Sequence, residues 1–544
     1  MKSNLLILTL AMILTAGGLS SCQQQATETA APEKAVSIKV VYDPSLASYL
    51  ASLKEDFLLT RPTLQDGSHV KIELVSKSGV QASQSIASGE LKTDAWISPS
   101  TSLVNFTNTH LTNLGPRQAD CLQLFASPLI VAGLESSQYL FNAHEQEFSW
   151  NEFIEGQISR RQQGSNASVS LMHGTPDSST TGLASLVQLA YLSEYQQSGD
   201  LLLDTLNSPQ TLDKLRQYES FVANYGRNEA EMLARVANPQ NKRAIFAITT
   251  EQQLAAYNHR LPAGSQRLLA LYPSEGSYWE DHTLCISDAD WVTPAHRAAL
   301  KLWQDFIISE KSQLAARQMG YRSSIRQFND TAPLTKAYGV NTSLPRQSFR
   351  PVSGEIGQFL LKSWPEIKRP LALIVALDTS GSMDAALEVG KDELRIWAAS
   401  LSPRDQRGLL TFASSVEKAS LYPDSSSFIK ALDTTRSLGG SAVYDGLRRA
   451  LDLAADPSLG SYRKLVFLYT DGGDKYSQTT LELLLDLLRQ KQSTDDLNLA
   501  IVAIHQGDPG FVDLESIAQT AGGQFRAITL DQVPVAVREI ADKY

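Results

Sequence analysis

Asp378, Ser380 and Ser382 occupy alternate positions in the stretch Asp378-Thr379-Ser380-Gly381-Ser382. One carboxylate and two hydroxyls this close together, with no His or Cys among them, form a hard oxygen donor set. Such a set suits Mg²⁺, with Mn²⁺ or Ca²⁺ as substitutes, better than zinc or copper. Two more oxygen-bearing turns follow downstream, Gly439-Gly440-Ser441 and Thr470-Asp471-Gly472-Gly473. Ser and Asp also favour turns and helix caps, so local backbone chemistry accounts for any one of these stretches alone. The metal reading rests on all three occurring in order. Asp445 and Asp474 read as solvated or supporting carboxylates, not as ligands.

The elements around these residues explain how they would meet. The run 371–377 is short, apolar and without polar alternation, which predicts a strand buried on both faces of a parallel sheet. Asp378 then falls at the strand's carboxyl end, where ligands bind in open α/β sheets. Further strands are expected at 408–412, 465–469, 497–504 and 524–528. Helices are expected at 385–400, 444–455, 479–491, 514–521 and 530–542. This alternation predicts a doubly wound sheet with helices on both faces. Upstream, residues 341–367 form a seam containing Pro345, Pro351 and Pro365, with a helix expected at 355–364.

The three motifs, each at a strand-to-helix junction, resemble a von Willebrand factor type A (VWA) domain with a metal-ion-dependent adhesion site, over 368–544. That resemblance implies a Rossmann-like fold and assigns roles. Ser380, Ser382 and Ser441 would offer hydroxyls to the cation. Asp378 and Asp471 would act through water or orient the serines. An acidic residue of a protein partner would complete the site. The family usually carries Thr where this chain has Ser441, which keeps the oxygen but loses the β-branch that restricts χ1.

The first half, 35–340, repeats a pattern of strand, small polar loop and helix. Examples are 36–41 before Asp43-Pro44-Ser45, 71–75 before Ser78-Gly79, and Asp94-Ala95-Trp96-Ile97-Ser98. Further on come the Ser127-Pro128 pair leading 129–132, the stretch Pro176 to Gly182 before a helix, and 244–248 before Thr249-Thr250. In this order the region resembles the bilobed extracellular solute-binding proteins of bacterial transport systems. Helix N-termini carry unpaired N–H donors and partial positive charge, which suits a small anion; a peptide ligand or a permanently closed cleft are the alternatives. Ser45, Ser78, Ser98, Thr181 and Thr250 are the hydroxyls expected around the cleft, with Trp96 and Tyr272 as walls. Helix capping and core packing account for the same residues equally well.

Composition narrows the function. At 19% charged and 42% hydrophobic the chain should fold over most of its length, and its net charge of −10 argues against nucleic acid. Residues 1–21 read as a signal segment, with Lys2 before an apolar stretch, and Leu19-Ser20-Ser21-Cys22 resembles a bacterial lipobox. The expectation is diacylation of Cys22, a tether at 22–34 and an extracytoplasmic, membrane-anchored protein; an ordinary secretory signal is the alternative. Cys121 and Cys285 then form one disulfide or remain two buried thiols. No hydrolase or nucleotide motif is present, and His505 reads as a loop residue, so catalysis is not expected. The favoured reading is a binding protein that docks a partner through Mg²⁺. The rival is a solute-binding or sensing component with the second domain as scaffold.

Overall fold

The computed structural model describes residues 34–162, 169–194, 200–226, 228–238, 244–324, 331–494, 497–504 and 510–544. Cys22, nearly all of the expected tether, and His505 lie outside them.

The C-terminal half is built on a six-stranded sheet. Its strands lie in the order Val416–Tyr422, Gln406–Phe412, Leu371–Asp378, Arg463–Thr470, Leu497–Ile504 and Gln524–Ile528. Every residue of the central strand is buried. Leu371, Leu373, Val375 and Leu377 pack against helices Asp384–Ser400 and Val533–Ala541, whereas Ala372, Ile374 and Ala376 face helices Val443–Ala454, Leu481–Thr494 and Phe511–Thr520. The period of two that a strand imposes thus divides one apolar run between two cores. Five strands are parallel. The sixth, Val416–Tyr422, is an added edge strand that pairs antiparallel with Gln406–Phe412. This edge strand and the helix Ser425–Asp433 behind it gave no sequence signal, because an edge that buries little carries no apolar run.

The N-terminal half has two lobes. The first contains the sheet His69–Ser76, Ala35–Tyr42, Ala95–Ser98, Thr283–Asp288 and Arg117–Gln123. The second is organised around Leu268–Pro273, Phe125–Leu134, Ala244–Thr250, Val169–Gly174 and Val222–Gly226. The chain passes from the first lobe to the second beside Leu124 and back beside Asp281, and Leu124 N–H donates to the His282 carbonyl at 2.9 Å. Cys121 and Cys285, on neighbouring antiparallel strands, are joined as a disulfide across 164 residues.

The seam is packed against both lobes. Helix Gly354–Ile367 runs beyond its expected end, through Pro365. Gly354 and Gly357 let it lie close to Thr109 and Phe106 of the first lobe, while its apolar face joins a core shared with Leu186, Leu215 and Phe221 of the second. It leads into Arg369, whose N–H donates to the Tyr225 hydroxyl and whose guanidinium donates to the Ser461 and Tyr462 carbonyls. Beside it the buried Arg463 lies over the Tyr225 ring at 4.5 Å, and Tyr225 donates to Glu219 at 2.7 Å. Arg235 donates to Asn498 at 3.1 Å. The second lobe is therefore fastened to the amino-terminal ends of the C-terminal sheet.

Candidate functional site

The three oxygen-bearing turns meet at the carboxyl ends of the two central strands. Asp378, the last residue of its strand, is fully buried and organises the site. Its Oδ1 accepts from Ser380 N–H at 2.8 Å. Its Oδ2 accepts from the Ser441 hydroxyl at 2.8 Å and the Thr470 hydroxyl at 2.6 Å. Ser380 and Ser382 hydroxyl oxygens lie 3.3 Å apart, and Ser382 donates to Asp471 Oδ1 at 3.1 Å. Backbone bonds lock the loops together: Leu438 N–H to the Thr379 carbonyl, Gly381 N–H to the Gly439 carbonyl, and Lys475 N–H to the Ser441 carbonyl. Gly439 has φ +83°, a conformation that disfavours any side chain. A Cβ on Gly440 would meet the Tyr476 ring at 2.0 Å.

The five expected metal-site residues are thus brought together, with Thr470 as an addition that the sequence reading passed over. Ser382 is exposed, while Ser380, Ser441 and Asp471 are buried at its side. Burial raises the Asp378 carboxyl above its ordinary value, against the lowering pull of hydrogen bonds from Thr470, Ser380 and Ser441. Burial likewise raises Asp471; Asp378 adds to this, and Ser382 and Lys475 oppose it. Two buried carboxylates joined through hydroxyl donors, opening on exposed Ser382, fit a hard divalent cation. The hydroxyls of Ser441 and Thr470 donate inward to Asp378, which turns their lone pairs away from it. No group of three or more His, Cys, Asp or Glu among the described residues is arranged for a metal. Asp474 accepts from the N–H of Tyr444 and caps that helix, and Asp445 accepts from Gln478 and Thr479 N–H. Both carboxylates hold loop and helix backbone.

Between the N-terminal lobes lies a cleft of about 500 Å³. Ser45, Ser78 and Thr181 line it, as expected. Four other expected residues do not. Trp96 is buried in the apolar core. Ser98 donates to the Ser100 carbonyl in the interior, and Thr250 caps helix Glu251–Arg260. Tyr272 is buried and donates to Glu251 at 2.6 Å. In these four positions capping and packing account for the residue type. The expected anion is also opposed by the lining. Asp43, Glu229 and Glu280 all contribute to it, and the one Lys or Arg among the described lining residues is the exposed Arg260. Asp43 stands where a phosphate-binding turn would offer free N–H groups; instead its carboxylate takes up Ser45 N–H at 3.0 Å and Gly79 N–H at 2.9 Å. Glu229 and Glu280 belong to no motif and gave no signal.

The von Willebrand factor type A domain model matches residues 372–540. No curated protein matches the chain. Among solved structures, a von Willebrand factor type A protein from Catenulispora acidiphila is 18% identical with TM-score 0.28, and the match covers 32% of this chain and 42% of that one. The periplasmic binding protein AfuA from Actinobacillus pleuropneumoniae, with fructose-6-phosphate bound, is 12% identical with TM-score 0.41, covering 61% of this chain and 98% of that one. Maltose-bound MalE3 from T. maritima is 15% identical with TM-score 0.40, covering 61% and 96%. Residues 372–540 are a VWA domain, and the N-terminal region resembles solute-binding proteins in fold.

Proposed function

We propose that this protein is an extracytoplasmic binding protein, anchored through a lipid on Cys22, whose VWA domain docks an acidic residue of a protein partner at a Mg²⁺ site. Ser380, Ser382 and Ser441 would hold the ion, with Asp378 and Asp471 orienting them. The observation that carries this reading is the single network in which Asp378 gathers Ser380, Ser441 and Thr470 while Ser382 bridges to Asp471. When bound, the cation supplies an electrophilic position for a partner's carboxylate. The chain's own part is to fix the hydroxyls before the partner arrives, so that little ordering is left to oppose docking. Leu438 and Tyr476, 76% and 58% exposed, belong to the loops that form the site and offer apolar contact around a polar centre. The disulfide supports an oxidising compartment. No helix among the described residues is long and apolar enough to cross a membrane. We assign no catalytic step.

The test is retention of a partner from envelope extract by the full chain, in Mg²⁺ and in EDTA, beside the double variant Ser380→Ala/Ser382→Ala. The reading requires a partner held by the parent in Mg²⁺ and lost both in EDTA and with the variant. Retention that ignores both changes removes the metal site from docking. The interlobe cleft favours a second reading, in which the N-terminal region captures a solute and the VWA domain serves as scaffold. That reading requires solute-induced stabilisation that is the same with and without Mg²⁺.

A further inference from the structure

We infer that the interlobe cleft binds a small organic cation, a molecule presenting at least one protonated amine to Asp43, Glu280 and Glu229. This rests on the reading of the cleft as a ligand site and gives that ligand its chemical class.

Charge and geometry carry the inference. Asp43 comes from the end of the first strand, and Glu280 from the short strand Trp279–Glu280 beside the crossover. Glu229 opens the helix Glu229–Val236 of the second lobe. The three line one cavity. Asp43 and Glu280 are only 9% and 5% exposed, and among the described residues neither forms an ion pair with Lys or Arg. Their partners are neutral donors: Thr180 donates to Asp43 at 3.1 Å and Thr181 to Glu280 at 3.2 Å. Grouping buried carboxylates without a cation is costly. Burial and the charges of Asp43 and Glu229 accordingly hold the Glu280 carboxyl well above its ordinary value.

A second observation points to a ligand independently of charge. His282 is 1% exposed and lines the same cavity, and its Nδ1 has no hydrogen-bond partner. Burial holds its imidazole in the neutral form. Nε2 faces Glu280 Oε2 at 3.9 Å; with the proton on Nε2 toward that carboxyl, Nδ1 is an acceptor and suits an N–H donor. The Ser45 and Ser178 hydroxyls in the lining are unpartnered as well. Tyr49 and Tyr321 supply aromatic carbon, with their hydroxyls turned to the backbone carbonyls of Ser312 and Ser45, and such rings favour an organic cation. A bare metal ion fits less well: a cavity of about 500 Å³ is sized for a small molecule, and among the described residues no acidic cluster is close enough to chelate an ion.

The test is thermal unfolding of the full chain with putrescine, spermidine and glucosamine. N-acetylglucosamine, maltose, inorganic phosphate and MgCl2 are run beside them. At saturation at least one amine should raise Tm by about 5 °C, and N-acetylglucosamine should not reproduce the effect of glucosamine. Glu280→Gln and Glu229→Gln should each lower the affinity at least tenfold while leaving the Mg²⁺ response of the VWA site intact. If phosphate or a neutral sugar stabilises and no amine does, the cation assignment is overturned and the cleft remains a ligand site. If no probe stabilises the parent, both are overturned. An amine effect unchanged in both variants moves the site elsewhere. A Mg²⁺ effect lost in Glu280→Gln but kept in Asp378→Asn would make the cleft a metal site and refute the inference.

Discussion

Replacing Asp378 with Asn separates the structural from the cation-binding work of the central carboxylate. The amide preserves the shape and one acceptor oxygen, which keeps the bond from Ser380 N–H. The remaining position, facing the Ser441 and Thr470 hydroxyls, becomes an NH2 donor. Thr470 already has the Gly472 carbonyl within 3.2 Å as another acceptor. Ser441 must turn its own proton outward, toward the position a cation would take. The variant therefore opposes a cation twice, by removing a charge and by reversing a hydroxyl.

Without metal the balance is close. Two hydroxyl bonds fall from the strength of charged acceptors to that of neutral ones, a loss of about 2–3 kcal/mol. Removing a fully buried charge beside Asp471 returns a similar amount. The metal-free Tm should thus lie within a few degrees of the parent. With Mg²⁺ at about a hundredfold excess over its Kd, the parent gains about 2.7 kcal/mol. For a domain of this size that is about 5–11 °C, and the variant should gain almost none. Scanning calorimetry of the full chain with and without Mg²⁺ is the assay. The dependence on pH has a definite sign. Burial raises both carboxyls, so their contribution to stability is full below the ordinary carboxylate pKa and is lost as pH rises through the raised values. Acidification should thus strengthen the metal-free parent through these groups and shrink its Mg²⁺ gain. If Asp378→Asn gains as much from Mg²⁺ as the parent, the site is refuted. If the variant instead melts far below the parent without metal, Ser382→Ala replaces it, since it leaves every bond to Asp378 in place and removes only one donor from Asp471.

Two other outcomes are expected of the N-terminal half. Burial lowers the His282 imidazole from 6.5 to about 3, so its contribution is full above pH 6.5 and falls away toward pH 3, with a loss of about 2–3 kcal/mol by pH 4.5. Glu280, whose pKa is raised, acts in the opposite sense. The measurement is therefore the difference in urea unfolding free energy between parent and His282→Gln from pH 7 to 4.5; a constant difference would refute the assignment. Reducing the Cys121–Cys285 bond releases a loop of 164 residues, worth about 5 kcal/mol in the chain-entropy model. Dithiothreitol should lower the Tm of the parent and leave Cys121→Ser/Cys285→Ser unmoved.

The VWA half was legible because its signals are local. An apolar run buried on both faces, followed at once by a carboxylate and two hydroxyls, marks a strand and its loop in one stretch of chain. Three such stretches in order give the topology. The edge strand at 416–422 was hidden because it buries too little to need an apolar pattern. In the cleft, reading was good for loops and poor for charge. Ser45, Ser78 and Thr181 sit at strand-to-helix turns and were found. Glu229 and Glu280 join Asp43 only where the two lobes face one another, and no local pattern encodes that meeting. Trp96, Ser98, Thr250 and Tyr272 lie away from the cleft for the complementary reason. Residues suited to a cleft are also suited to a cap or a core, and only the packed structure separates the two uses.

The way the halves join decides which face of the VWA domain is free for a partner. Arg369, Arg463 and Asn498 meet the second lobe at the amino-terminal ends of three neighbouring strands. Asp378 and Asp471 stand at or just beyond the opposite ends of the central pair. Eight residues of extended strand separate the two levels, about 26 Å at the usual rise. The N-terminal half therefore occupies one end of the sheet and leaves the hydroxyl-lined end uncovered, with Ser382, Leu438 and Tyr476 exposed upon it. A protein partner can reach that end without displacing either lobe. The same strands, buried along nearly their whole length, run from the lobe contact to the hydroxyl-lined end. The clamp that starts it, helix Gly354–Ile367, packs on both lobes at once. That helix therefore ties both lobes to the segment that enters the central strand.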